Sequence, residues 1–117
     1  MTDNNSNGYN TSNNNITDLV KQITIHYIKY YYQTFEQNYR INTGNKLVPE
    51  NELREFIDEM YEKKQLDLKK YIRTTLKENL KENYSTMATE NILLDMFKDP
   101  TYAKERVIQE ILNEQDD

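Results

Sequence analysis

The sequence predicts an all-α protein: about five short amphipathic helices, forming an open helical clasp or a small bundle behind a disordered N-terminal tail. Three observations carry this expectation. Apolar residues recur at three- and four-residue steps from Ile16 to Leu112, which is the period of a helix face. The chain holds two glycines and two prolines, too few for the many turns of a small β-sandwich or barrel. No segment alternates apolar and polar residues as a half-buried strand does. At 117 residues the chain has room for one domain, placed at residues 16–117.

Residues 1–15 hold seven of the fifteen asparagines and no aliphatic residue after Met1. Such a segment cannot bury enough apolar surface to offset the entropy of ordering, so it reads as disordered. A recognition arm or a plain low-complexity tail both fit that composition. The first helix begins at Ile16, with Asn15 and Asp18 spaced as a capping box built from Asx residues. Ile16, Leu19, Val20, Ile23, Tyr27, Tyr31, Phe35 and Tyr39 form its main stripe. Ile25, Ile28 and Tyr32 add a second, so this helix is a candidate for burial on more than one side. It is expected to end before Asn42-Thr43-Gly44-Asn45, which is turn chemistry, with Gly44 able to take positive φ.

Pro49, followed by Glu50 and Glu52, marks the next helix start. Leu53, Phe56, Ile57, Met60 and Tyr61 give it a clean apolar face. Leu68, Tyr71, Ile72, Thr75, Leu76 and Leu80 repeat the pattern. With neither Gly nor Pro between these sets, one long helix or two are both possible; a break near Gln65–Asp67, with Asp67 as N-cap, fits better. Ser85, Thr86 and Thr89 offer caps for a short helix carrying Ile92, Leu93, Met96 and Phe97. Asp99 and Pro100 then open a last helix faced by Val107, Ile108, Ile111 and Leu112.

Composition excludes several functions. Without cysteine there is no disulfide scaffold and no thiolate ligand. The polar start lacks the apolar stretch of a signal peptide, and no run approaches the ~20 apolar residues of a membrane span. A net charge of −5 argues against binding that relies on phosphate neutralisation. What remains is an intracellular, mostly helical protein.

Catalytic equipment is sparse, and the expectation is a protein that is not an enzyme, with no cofactor and no metal. The single histidine, His26, sits among Ile25, Tyr27 and Ile28 and reads as structural. The acidic residues interleave with lysine and arginine, as on a solvated helix face. Two distant glycines cannot build a phosphate-cradling loop. An EF-hand register that sets Gly44 at position six puts Tyr39 at one, Ile41 at three and Glu50 at twelve, which excludes a calcium loop. Residues 16–48 carry four basic and two acidic side chains beside Tyr27, Tyr30, Tyr31, Tyr32 and Tyr39. Such aromatics can stack on single-stranded bases. Their helical phasing favours packing instead.

Amphipathic helices of this length can close on one another or wrap a helix of a scaffold protein, and the stripes alone leave both open. From Asn42 onward the order of segments resembles the Enhancer of yellow-2 family of small transcription and mRNA-export subunits. The resemblance rests on Thr43-Gly44, on Leu53-Arg54-Glu55-Phe56-Ile57 and on Leu68-Lys69-Lys70-Tyr71-Ile72-Arg73. A threonine-led helix from Thr89 to Phe97 and a proline-started one from Pro100 to Leu112 complete it. It spans about seventy residues. The family's Cys-Gly-Trp is replaced by Lys64-Gln65-Leu66, and the connection Asn45 to Asn51 is longer than the family's. The resemblance implies a nuclear adaptor that links a histone-deubiquitinating coactivator module to mRNA export by clasping scaffold helices. The residues assigned to partner binding are Leu53, Phe56, Ile57, Met60, Leu68, Ile72 and Leu76. A second pattern, Tyr30-Tyr31-Tyr32-Gln33-Thr34-Phe35-Glu36 with Asn45-Lys46-Leu47 and Glu55-Phe56-Ile57, is similar to the domain that binds Arf-like small GTPases. Its Asp-Phe-x-x-Phe-Lys signature is missing. That pattern implies a small-GTPase binder as the alternative.

Overall fold

The computed structural model describes residues 13–115, so the part of the expected tail that covers residues 1–12 lies outside the described residues. The described residues form five α-helices and no strand: α1 (Asn13–Thr43), α2 (Glu50–Glu62), α3 (Gln65–Leu80), α4 (Thr86–Lys98) and α5 (Thr101–Gln115). A single 3₁₀ turn, Lys81–Asn83, follows α3. The all-α expectation holds. Four helices are short; α1, with 31 residues, runs about 46 Å.

Length gives α1 its role. It packs against α2, α3, α4 and α5, so the other helices gather around it. Both of its stripes are used. Ile16, Val20 and Ile23 from the first, and Ile28 and Tyr32 from the second, are buried in the core. Leu53, Ile57, Met60 and Tyr61 of α2, Leu68, Ile72 and Leu76 of α3, Leu93 of α4 and Val107, Ile108 and Ile111 of α5 close around them.

Local chemistry sets the helix ends, although α1 runs on through Asn42 and Thr43, two residues past the expected end. Gly44 adopts φ +75° and its N–H donates to the Arg40 carbonyl at 2.8 Å, ending α1 in left-handed backbone. The Ser85 hydroxyl accepts from the Ala88 N–H at 3.1 Å and caps α4. Three further boundaries differ. The described part of α1 begins at Asn13, so Asn15 lies inside the helix rather than at its cap. α2 and α3 part at Lys63–Lys64, whose N–H groups both donate to the Glu59 carbonyl. The Gln65 amide donates to the Tyr61 carbonyl at 3.1 Å, covering a free end of α2 and leaving Asp67 inside the first turn of α3. At α5, Pro100 provides the carbonyl that accepts from Lys104 and the helix proper begins at Thr101, one residue later than expected.

Ion pairs join the helices at their rims. Arg54 of α2 bridges Glu50 and Glu105, tying α2 to α5. Arg73 of α3 holds Glu90 of α4 through Nε at 2.6 Å and Nη2 at 2.9 Å. Lys104 of α5 reaches Asp58 of α2 at 3.1 Å, and Lys29 of α1 pairs with Glu114 of α5. Most of these side chains are more than a third exposed, so they orient the helices more than they stabilise the fold.

Two features carry unrelieved cost. Lys81 takes φ 53°, ψ −118°, a region that favours glycine. The Tyr61 hydroxyl is buried and has no hydrogen-bond partner among the described residues. Replacing Lys81 by Gly is expected to raise unfolding stability by about 1 kcal/mol in urea denaturation, and a loss would refute backbone strain there. Tyr61→Phe removes a hydroxyl whose desolvation nothing offsets; a gain of about 1 kcal/mol is expected. A destabilised Tyr61→Phe protein would mean that the hydroxyl has a partner.

Candidate functional site

The residues assigned to partner binding are the place to begin, because their location decides what a partner can reach. Leu53, Ile57, Leu68, Ile72 and Leu76 have no exposed surface and Met60 is 2% exposed. Phe56 is partly buried, its ring 4.9 Å from Phe35 and 5.6 Å from Tyr32. The face they form is covered by the chain's own helices, α1 foremost. A scaffold helix would reach it only by displacing them. Placing an aspartate at Ile72 would bury an unpaired carboxylate and unfold the domain rather than probe an interface.

The exposed aromatic surface lies elsewhere. Tyr30 is 63% and Tyr31 45% exposed, although Tyr31 belongs to the main apolar stripe of α1. Together with His26, Tyr27 and Tyr71 they line a recess of about 280 Å³ between α1 and α3. The rings hold one another. Tyr27 lies 4.6 Å from Tyr71 and 4.8 Å from Tyr31, while Tyr30 meets Tyr31 edge-on at 5.4 Å and 88°. These separations fall within the range where aromatic pairs attract beyond their simple burial.

Local sequence explains the placement. Tyr27, Tyr30 and Tyr31 occupy neighbouring positions one turn apart, so their rings share one side of α1. Tyr27 directly precedes Ile28 and Tyr71 directly precedes Ile72, two isoleucines with no exposed surface. The core thereby anchors the backbone beneath each ring. His26, expected as a structural residue, is exposed and forms part of the recess wall. On its other side a shallow groove of about 570 Å³ opens between α1 and α5, lined in part by Gln22, Lys29, Glu110 and Glu114.

Among the described residues no group of three or more His, Cys, Asp or Glu side chains is placed to hold a metal ion. No helix among them is long and apolar enough to cross a membrane. The chain matches no family model, no curated protein and no solved structure.

The recess and the core leave a mark on ionisation. Burial, then the neighbouring Tyr31 hydroxyl and the Asp67 carboxylate, push the Tyr27 phenol up to about 12. Burial raises Tyr61 to about 12, and burial with the nearby Glu36 does the same for Tyr32. A phenol whose folded pKa exceeds its unfolded value of 10.0 contributes stability below pH 10, lost as pH rises through 12. Urea midpoints are therefore expected to fall from pH 10 to pH 12, with a late tyrosinate absorbance step near pH 12 that shrinks in Tyr61→Phe. A flat midpoint over that window would show that these phenols titrate alike in both states.

Proposed function

We propose that this chain is a non-enzymatic helical adaptor that docks a partner protein on the tyrosine face of α1 and α3. The observation that carries the reading is the state of Tyr30 and Tyr31. Both rings are substantially exposed, yet each lies against a neighbouring ring. Tyrosine suits interface centres because a large ring with a polar tip loses few rotamers on binding. Rings already packed against one another lose fewer still.

Charge narrows the partner. Residues 49–117 carry seventeen acidic and eleven basic side chains, and the whole chain has a net charge of −5. A basic segment of a scaffold subunit complements that surface. The resemblance to the Enhancer of yellow-2 family alone supports the narrower reading, in which the chain serves a nuclear complex linking histone deubiquitination to mRNA export. With the Leu53–Leu76 face closed by the chain's own helices, docking on that reading falls to the tyrosine face rather than to an internal clasp.

Affinity purification of the full chain beside Tyr30→Ala/Tyr31→Ala tests this, with Leu94→Ala on α4 as an exposed control. A scaffold subunit held by wild type and by the control is expected to be depleted at least about tenfold in the double variant. Equal recovery from all three folded proteins would sink the docking face. Recovery of a GTP-loaded Arf-like GTPase instead would sink the nuclear assignment.

A further inference from the structure

We propose that the tyrosine recess is a binding site for an organic cation carried on a partner's side chain, an arginine guanidinium or a methylated lysine ammonium. The inference rests on the adaptor reading and specifies which chemistry it recognises. Its first support is the disposition of the rings. Tyr30 stands at 88° to Tyr31, Tyr27 is tilted 55° from Tyr31 and 37° from Tyr71, and all four line one recess, so its aromatic surfaces are not parallel. Each ring carries negative charge on its face, and a cation seated among several non-parallel rings can meet more than one such face. A volume of about 280 Å³ exceeds the ~150 Å³ cavity that accepts benzene, so the head of one long side chain fits.

The second support is charge. No lysine or arginine lines the recess. The nearest lysine along α1, Lys29, is engaged by Glu114. Asp67 lies close enough to Tyr27 to oppose ionisation of its hydroxyl, and it makes no ion pair among the described residues. An aromatic recess beside a carboxylate that makes no ion pair favours a cation over an anion. The same carboxylate repels phosphate, which disfavours base stacking on these rings, since single-strand binders flank their aromatics with positive charge.

The test is a titration of the full chain, followed through the tyrosine ring resonances. Acetyl-arginine amide, acetyl-trimethyllysine amide, neutral acetyl-norleucine amide and a single-stranded oligothymidylate serve as probes. Saturable shifts confined to Tyr27, Tyr30, Tyr31 and Tyr71 are expected with a cationic probe, about tenfold tighter than with norleucine. Whichever cation binds more tightly identifies the side chain. Tyr30→Phe should retain this binding, Tyr30→Ala should lose it, and Asp67→Asn should weaken it about threefold or more. Equal affinity for norleucine and the cations, no saturable shift, or a preference for the oligonucleotide would each overturn the cation site. If Tyr30→Ala also depletes the scaffold partner while the cations fail to bind, the adaptor reading stands and the cation inference alone is lost. If the cations bind and Tyr30→Ala leaves partner recovery intact, the adaptor reading falls instead.

Discussion

Packing of one long helix against all the others is the interaction on which this structure depends. α2 to α5 are 13 to 16 residues each, lengths at which an isolated helix in water is marginal. Their stability comes from burying an apolar stripe. α1 offers them a surface about 46 Å long, with Val20 and Ile28 fully buried on it. Because α1 touches each of the other four, it joins four short elements into one core. Ion pairs such as Arg73–Glu90 then set how neighbouring helices meet at the rim.

A helix that carries the core cannot hide all of its own surface. At 3.6 residues per turn, even two buried stripes leave a strip of α1 facing water, and His26, Tyr30 and Tyr31 fall on it. Polar residues would satisfy that strip. Tyrosine there is a costlier choice for a surface, and the rings respond by packing on one another and on Tyr71 rather than pointing singly into solvent. A recess with aromatic walls results from the same helix that organises the fold.

Much of this was legible in the residues, for identifiable reasons. Helix number and class follow from spacing, and Gly44, Ser85 and Pro100 act within a residue of where their chemistry places them. The break after α2 was visible only roughly, because Gln65 ends it by reaching back to the Tyr61 carbonyl, a role its position does not advertise. What spacing cannot reveal is whose helix covers a stripe. Leu53, Ile57, Leu68 and Ile72 look the same in sequence whether they meet α1 or a scaffold helix, since periodicity reports a face and not its neighbour. The recess is hidden from spacing for a related reason. Tyr71 lies 40 positions from Tyr31, and only the pairing of α3 with α1 brings them to one place.

That pairing also determines how good a docking surface the tyrosines can be. An exposed aromatic on a loop must be ordered when a partner binds, and the lost freedom subtracts from affinity. Here the ring-bearing residues sit on two helices whose adjoining residues, Ile28 and Ile72, are wholly buried. Moving the backbone of Tyr27 away from that of Tyr71 would require shifting one helix against the other, and therefore opening the core. The backbone beneath Tyr27 and Tyr71 is therefore anchored by the fold, while the Tyr30 and Tyr31 rings stand substantially exposed beside it. Ordering on this face is therefore confined to the exposed rings, since the helices that carry them are already fixed by the core.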